Sequence, residues 1–423
     1  KMSTKSIFSI EEIYESIKDE KNLTGAHLGV PGNSKGCGGI IDIALMIPES
    51  IVLFVAPLGC ARHVTTHTWQ REGRVFALAL DEAEVVTGAH LKSIEQAVME
   101  IYDYCREKPR LITICGSCID RLMASDFELV AERLSGEIPA RILVTWMDPV
   151  IGRKEHCQVR CWDKVYSLWR KSNDKVMAVN LIGRLHKPAQ DSELEDLLKK
   201  AGVKSVKHME ECKTLEEFYD MGKASLNILG SNLGEKAAKK IQKVNGIPYI
   251  KYQPTLSVEI VYDMYRKLEQ ALHIKIQDEE IYQYTKMKVE DFKNQWKNKQ
   301  IHMAVGEAYA SNEDAFSMAK DIAELGISVD WIYSDGKFKG KKEQISWLAE
   351  NQKNAQVLLL SHPGSRELML NPPHVDVAWG MNEKWFLKES DNHWIDVEKR
   401  PMDCDYASIL WFINAVENEL NKR

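Results

Sequence analysis

Cys37, Cys60 and Cys118 are the residues of this chain best suited to chemistry. Each lies where a loop turns into an expected helix: NSKGCGGIIDIALMI (33–47), VAPLGCARHVTTHTW (55–69) and LITICGSCIDRLMASD (111–126). A thiolate at a helix start is stabilised by free backbone N–H groups and the positive end of the helix dipole. Three such thiolates suit an iron–sulfur cluster, which takes cysteine sulfur and carries net negative charge. That chemistry is electron transfer rather than hydrolysis. Gly36 before Cys37 and Gly59 before Cys60 let backbone come close to such a group. Taken singly, each cysteine fits an inert buried thiol better than a ligand, since cysteine is among the most buried residues. Three in matching loop contexts point to a shared site.

The remaining candidates carry alternatives. Cys115 and Cys118 form a C-x-x-C, but no second such pair exists to complete a zinc site. Cys115 reads as the last residue of a strand facing the core, with a ligand role as the alternative. Cys157 and Cys161, four apart in HCQVRC (156–161), share a helix face; they are further ligands or core thiols beside Trp162. His63 and His67 are also four apart, and with Arg62 they lie just after Cys60. Arg62 and His63 are expected to tune a cluster's potential through charge and hydrogen bonds. GSNLGEKAAKK (230–240) is either an anion-binding turn or a tight strand-to-helix connection. SHPGSREL (361–368) and NPPHVDVAWGMNEKW (371–385) read as cleft loops or surface turns. The absence of a G-x-x-x-x-G-K-[ST] motif means that any ATP-coupled step comes from a partner.

These residues need elements to position them. Apolar runs at 51–56, 74–80, 111–115, 141–146, 175–182, 225–229, 301–305, 329–333 and 357–361 read as buried strands. Amphipathic patterns lie between them, as at 91–105, 192–202, 214–224, 235–246 and 313–326. Such alternation predicts an α/β chain of three Rossmann-like domains with parallel sheets and helices on both faces. The expected division is an N-terminal helix (1–25), a cluster-binding domain (26–170), a second domain (171–297) and a third (298–423). In the third, the apolar helix at 407–420 packs back on a neighbour. Cys60 and Cys118 then fall at the carboxyl edge of a parallel sheet, where doubly wound folds carry their sites.

Bulk composition narrows the classes. The chain has 423 residues, 44% of them apolar, enough for packed cores. A net charge of −6 argues against sequence-independent nucleic-acid binding. No run of about 18 apolar residues is present, so no membrane span is expected. Nine cysteines, an odd count with no apolar leader, suggest a reducing cytoplasm.

In order and spacing the three cysteine motifs resemble component 1 of nitrogenase and its relatives. Those relatives are the molybdenum–iron protein α and β chains, cofactor scaffolds, dark-operative protochlorophyllide reductases and nickel-tetrapyrrole reductases. DEAEVVTGAHLKSIEQAV (81–98) resembles the family's segment before a helix, and Cys118 with Ser125-Asp126 resembles its cysteine followed by paired aspartates. DPVIGRKEHCQVRCWDKV (148–165) and SLNILGSNLGEKAAKKIQKVNGIPYIKY (225–252) are similar to later family passages. The resemblance implies that Cys37, Cys60 and Cys118 are one subunit's half of a cluster bridging two subunits. That cluster is of the four-iron or the eight-iron P-cluster type. It further implies a like or paralogous partner chain, as homodimer, heterodimer or heterotetramer, and an ATP-hydrolysing iron protein that delivers electrons. Ser231 stands where the α chain has a cofactor-holding cysteine, and MDCDYASILWF (402–412) has no match to its partner histidine. The implied roles are therefore a β-like partner, a scaffold, or a reductase of another small or tetrapyrrole-like molecule.

Overall fold

The computed structural model describes residues 5–18, 39–65, 73–148, 155–306, 314–334, 336, 338, 340–360, 362, 364–365, 371–380, 393–397 and 400–422, with backbone alone for 62–65. The strands among them are β1 (Ile7–Ser9), β2 (Ser50–Ala56), β3 (Val75–Ala79), β4 (Leu111–Ser117), β5 (Arg141–Met147), β6 (Val176–Ile182), β7 (Ser205–His208), β8 (Ala224–Leu229), β9 (Tyr249–Lys251), β10 (His302–Val305), β11 (Ser328–Ser334), β12 (Gln356–Leu359), β13 (Val377–Trp379) and β14 (His393–Ile395). Three sheets result, in the orders β3-β2-β4-β5, β7-β6-β8-β9 and β1-β12-β11-β10-β13-β14. Every pairing is parallel except that of β1 with β12. Parallel strands covered on both faces must be apolar throughout, and all seven residues of SIVLFVA in β2 are buried.

Two compact units share the chain. One draws on residues 34–187 and 204–251, the other on 1–33, 188–203 and 252–423. The expected boundary at 170/171 thus falls inside the first unit. The helix Cys157–Tyr166 explains why. Its Trp162 stacks on Tyr166 with ring centroids 5.2 Å apart, inside one apolar cluster that includes Phe54 of β2, Ile182 of β6 and Leu229 of β8. Two sheets that pack on one helix share one core. On the other face of the first sheet, Ile51, Val55, Ile114, Ile94 and Phe127 form a separate cluster.

The second unit carries the six-stranded sheet. Its N-terminal segment is not a single helix as expected: Ile7–Ser9 adds an antiparallel edge strand before the helix Ile10–Lys18. The C-terminal helix Tyr406–Leu420 starts at an acidic cap. Asp405 accepts the Ser408 N–H at 2.8 Å, and the Glu193 carboxylate accepts the N–H groups of Tyr406 (2.8 Å) and Ala407 (3.1 Å) and the Tyr265 hydroxyl (2.7 Å). Burial, then the neighbouring Asp405 charge, pushes the Glu193 carboxyl up from 4.5 to about 7. The folded protein holds that proton more tightly than the unfolded chain does. The stabilisation is complete below the unfolded value and is lost as pH rises through about 7. The expected outcome is a melting temperature that falls between pH 5 and 8, with a shallower fall in Glu193→Gln. Parallel pH profiles for the two proteins would count against this cap.

Candidate metal centre at the edge of the first sheet

Each sheet reverses its strand order beside its first parallel strand: between β2 and β4, between β6 and β8, and between β10 and β13. Loops on either side of such a reversal run in opposite directions and leave a crevice at the carboxyl edge. In the first sheet that crevice receives two cysteines. After β2, Pro57 leads into the helix Leu58–Thr65, and the Cys60 N–H bonds the Pro57 carbonyl at 2.9 Å in its first turn. After β4, Cys118 is the first residue of the helix Cys118–Leu122. Val55 pairs in register with Gly116, so the two turns leave adjacent strands at the same level. Cys60 is exposed and Cys118 half-buried.

The Cys118 thiol feels its neighbour. Burial pushes the Cys118 thiol up, the nearby Cys60 adds to the shift, and the backbone N–H groups of Cys118 and Ile119 oppose it. The expected lowering by a helix start is present but outweighed, because five residues make only a small dipole. A cation between the sulfurs would reverse the balance, which is the behaviour of a ligand pair. At Gly59 an added Cβ would meet nothing within 4 Å, so the chain's own packing does not require glycine there. Gly116 differs: its Cβ would come within 2.7 Å of the Phe127 and Trp146 rings, which stack 4.8 Å apart beneath the turn.

Cys37 and Gly36 lie outside the described residues, as do His67 and the side chains of Arg62 and His63. The chain resumes at Gly39, where any larger residue would run into Gln158. Cys115, Cys157 and Cys161 do come together, but in the apolar core beside Trp162 and not in the crevice. Burial pushes the Cys115 thiol up to about 12, against a hydrogen bond with Thr145 and with Cys157 raising it further. Cys161 is raised by burial first, then by Cys115 and Cys157. Among the described residues no group of three or more His, Cys, Asp or Glu side chains is arranged to hold a metal ion.

Sequence reasoning missed the polar groups that fix the Cys118 turn. Asp120 is fully buried, and its Oδ2 accepts both the N–H (3.0 Å) and the hydroxyl (2.7 Å) of Ser117. Burial pushes its carboxyl up, against those bonds and the His90 ring. His90 Nε2 stands 3.7 Å from Asp120 Oδ1 and 2.8 Å from Ser125 Oγ, while Nδ1 faces the Glu84 carbonyl at 3.3 Å. A carbonyl only accepts, so Nδ1 donates, and in the neutral ring Nε2 accepts the Ser125 hydroxyl. Asp148, also fully buried, pairs with Arg160 and lies 3.4 Å from Arg121 Nε, whose guanidinium sits over Trp146 at 4.9 Å. The Ser-x-x-Asp spacing at 117–120 was a readable cap signal. His90 and Asp148 gave none, because only the fold brings them to the turn.

At the second sheet's edge the GSNLGEK turn is a close connection. A Cβ on Gly234 would come to 2.7 Å from the Gly183 Cα, and the buried Ser231 Oγ accepts the Leu233 N–H at 3.2 Å. Of the two later loop motifs, residues 361, 363, 366–368 and 381–385 lie outside the described set.

The chain is thus a doubly wound α/β protein of three sheets with a cysteine pair at the carboxyl edge of the first strand reversal. Within that class the chain belongs to the family described as nitrogenase component 1 type oxidoreductase, matched over residues 37–386. It is 22% identical over 321 residues to the nitrogenase iron–molybdenum cofactor biosynthesis protein NifE of Clostridium pasteurianum. That match covers 70% of this chain and 66% of the relative's length. Two solved structures share the fold. Nitrogenase Cp1 at pH 6.5 matches with a TM-score of 0.73 and 15% identity, over 94% of this chain and 93% of that one. Nitrogenase Cp1 at pH 5 matches with 0.61 and 16%, over 98% and 93%. No helix among the described residues is long and apolar enough to cross a membrane.

Proposed function

We propose that this chain is an iron–sulfur subunit of a nitrogenase-like reductase. Cys37, Cys60 and Cys118 hold one half of a cluster at a subunit edge, and an ATP-dependent iron protein supplies the electrons. The exposed Cys60 thiol beside the half-buried Cys118 thiol, at the β2/β4 crevice, carries the reading. When bound, such a cluster supplies one-electron storage at a potential set by its surroundings. The chain's own residues ligate, orient and shield. Backbone N–H groups of Cys118 and Ile119 offset the sulfur's charge. Leu58, Leu122 and Met123 are 67%, 64% and 51% exposed beside the thiols, an apolar rim that a like or paralogous chain would cover. The substrate class is a small or tetrapyrrole-like molecule.

A second reading, a scaffold for metallocluster assembly, is favoured by the name of the Clostridium relative. It is favoured also by Ser231, a buried hydroxyl spent on its own turn. Anaerobic purification with iron and sulfide analysis, electron paramagnetic resonance and native mass tests the common core of both. The expected protein is coloured and oligomeric, with iron and sulfide in equal amounts. A colourless monomer that takes up no iron on reconstitution would sink both. Substrate turnover with a purified iron protein supports the reductase; release of the cluster to an acceptor without turnover supports the scaffold.

A further inference from the structure

Besides its Ser117–Asp120 cap, the turn that carries Cys118 has one imidazole packed behind it. Asp120 and Ser125 belong to that turn, and His90, on the helix His90–Tyr104, reaches both. The turn also contains Ala124 at φ 53°, a left-handed conformation unfavourable for a residue with a side chain. Around Ala124 the backbone bonds are Met123 N–H to the Ile119 carbonyl at 2.9 Å, Ala124 N–H to the Arg121 carbonyl at 3.2 Å and Ser125 N–H to the Asp120 carbonyl at 2.9 Å, beside the Ser117–Asp120 cap at the start of the turn. A strained backbone persists only where its surroundings over-determine it. Asp120 Oδ1 has no hydrogen-bond partner of its own, and His90 Nε2 packs 3.7 Å from it while holding Ser125 at 2.8 Å. The ring is almost wholly buried, and its other nitrogen is fixed by the Glu84 carbonyl, so it cannot swing away cheaply.

We propose that His90 is the positioning residue for Cys118: by joining Asp120 to Ser125 it locks the left-handed turn and aims the thiol into the β2/β4 crevice. This deepens the reading of Cys118 as a ligand. It assigns to a side chain 28 positions upstream the task of holding the sulfur in place. His90 touches neither sulfur nor substrate and acts only through the turn.

The test is done on the metal-free protein, so it does not depend on cluster loading. Cys60 and Cys118 are alkylated with iodoacetamide, and the two rates are read by peptide mapping. Cys60 serves as the internal reference because it is exposed on a different turn. In His90→Ala the Cys118:Cys60 rate ratio should rise about tenfold, as expected when a buried hydrogen-bonding pair is broken. Ser125→Ala, which removes one contact at a half-buried position, should raise it less and in the same direction; it also serves if His90→Ala does not fold. His90→Gln, whose amide reaches the Ser125 hydroxyl, should restore the ratio. An unchanged ratio in His90→Ala overturns the proposal, as does an unchanged ratio in Ser125→Ala or a Gln variant whose ratio is raised like that of Ala. Iron content measured in parallel tests the ligand reading separately. If the ratio shifts and no variant or parent binds iron, the turn-locking role stands and the cluster falls.

Discussion

If Cys60 is a cluster ligand as proposed, Cys60→Ala should give a folded protein that retains much less iron than the parent. The side chain is exposed, so its removal creates no cavity and should change stability by no more than about 0.5 kcal/mol. The loss at the metal is of another order. A missing thiolate leaves an open coordination position on a group otherwise held by few ligands from this chain. Iron per chain and the visible absorption after anaerobic reconstitution are the measurements, set beside a thermal melt that matches the parent. Full iron content in this variant would remove Cys60 from the ligand set. The surviving candidates at that edge would then be Cys118 and, outside the described residues, Cys37.

Trp162→Ala should have the largest effect on stability. The side chain is 1% exposed, stacks on Tyr166, and lies in the cluster that both four-stranded sheets share. Deleting a buried indole costs about 3–5 kcal/mol, combining lost transfer energy and the cavity left behind. For a unit of this size that lowers the melting temperature by roughly 6–20 °C. Because one helix serves both sheets, they should lose protection together in hydrogen exchange. Separate openings of the two sheets, or a loss under about 1 kcal/mol, would show that the cores are independent after all.

The strands were legible where they are buried on both faces. IVLFVA and LITIC are continuous apolar runs because helices cover each side, and both form strands, extended by one or two residues. SVKH, YIK, VAW and HWI were missed: three or four residues, three of the runs with lysine or histidine, are too short to carry a period. Ile7–Ser9 was absorbed into a helical stripe, since its strand identity comes only from pairing with β12. The unit boundaries were not legible either, because they follow a tertiary choice, the shared packing on Trp162. At the site, the cysteine loops stood out through residue type and glycine context. Their supports did not: a buried His90 or Asp148 looks, in one dimension, like any surface polar residue.

The reversal between β2 and β4 also has a temporal side. Both cysteine turns of that crevice are encoded between Ser50 and Leu122, and β2 and β4 pair directly along their length. During synthesis both sulfurs are present once this stretch has left the ribosome, before β10 to β14 of the six-stranded sheet are made. If these cysteines are ligands as proposed, both are made well before the C-terminal half of the chain.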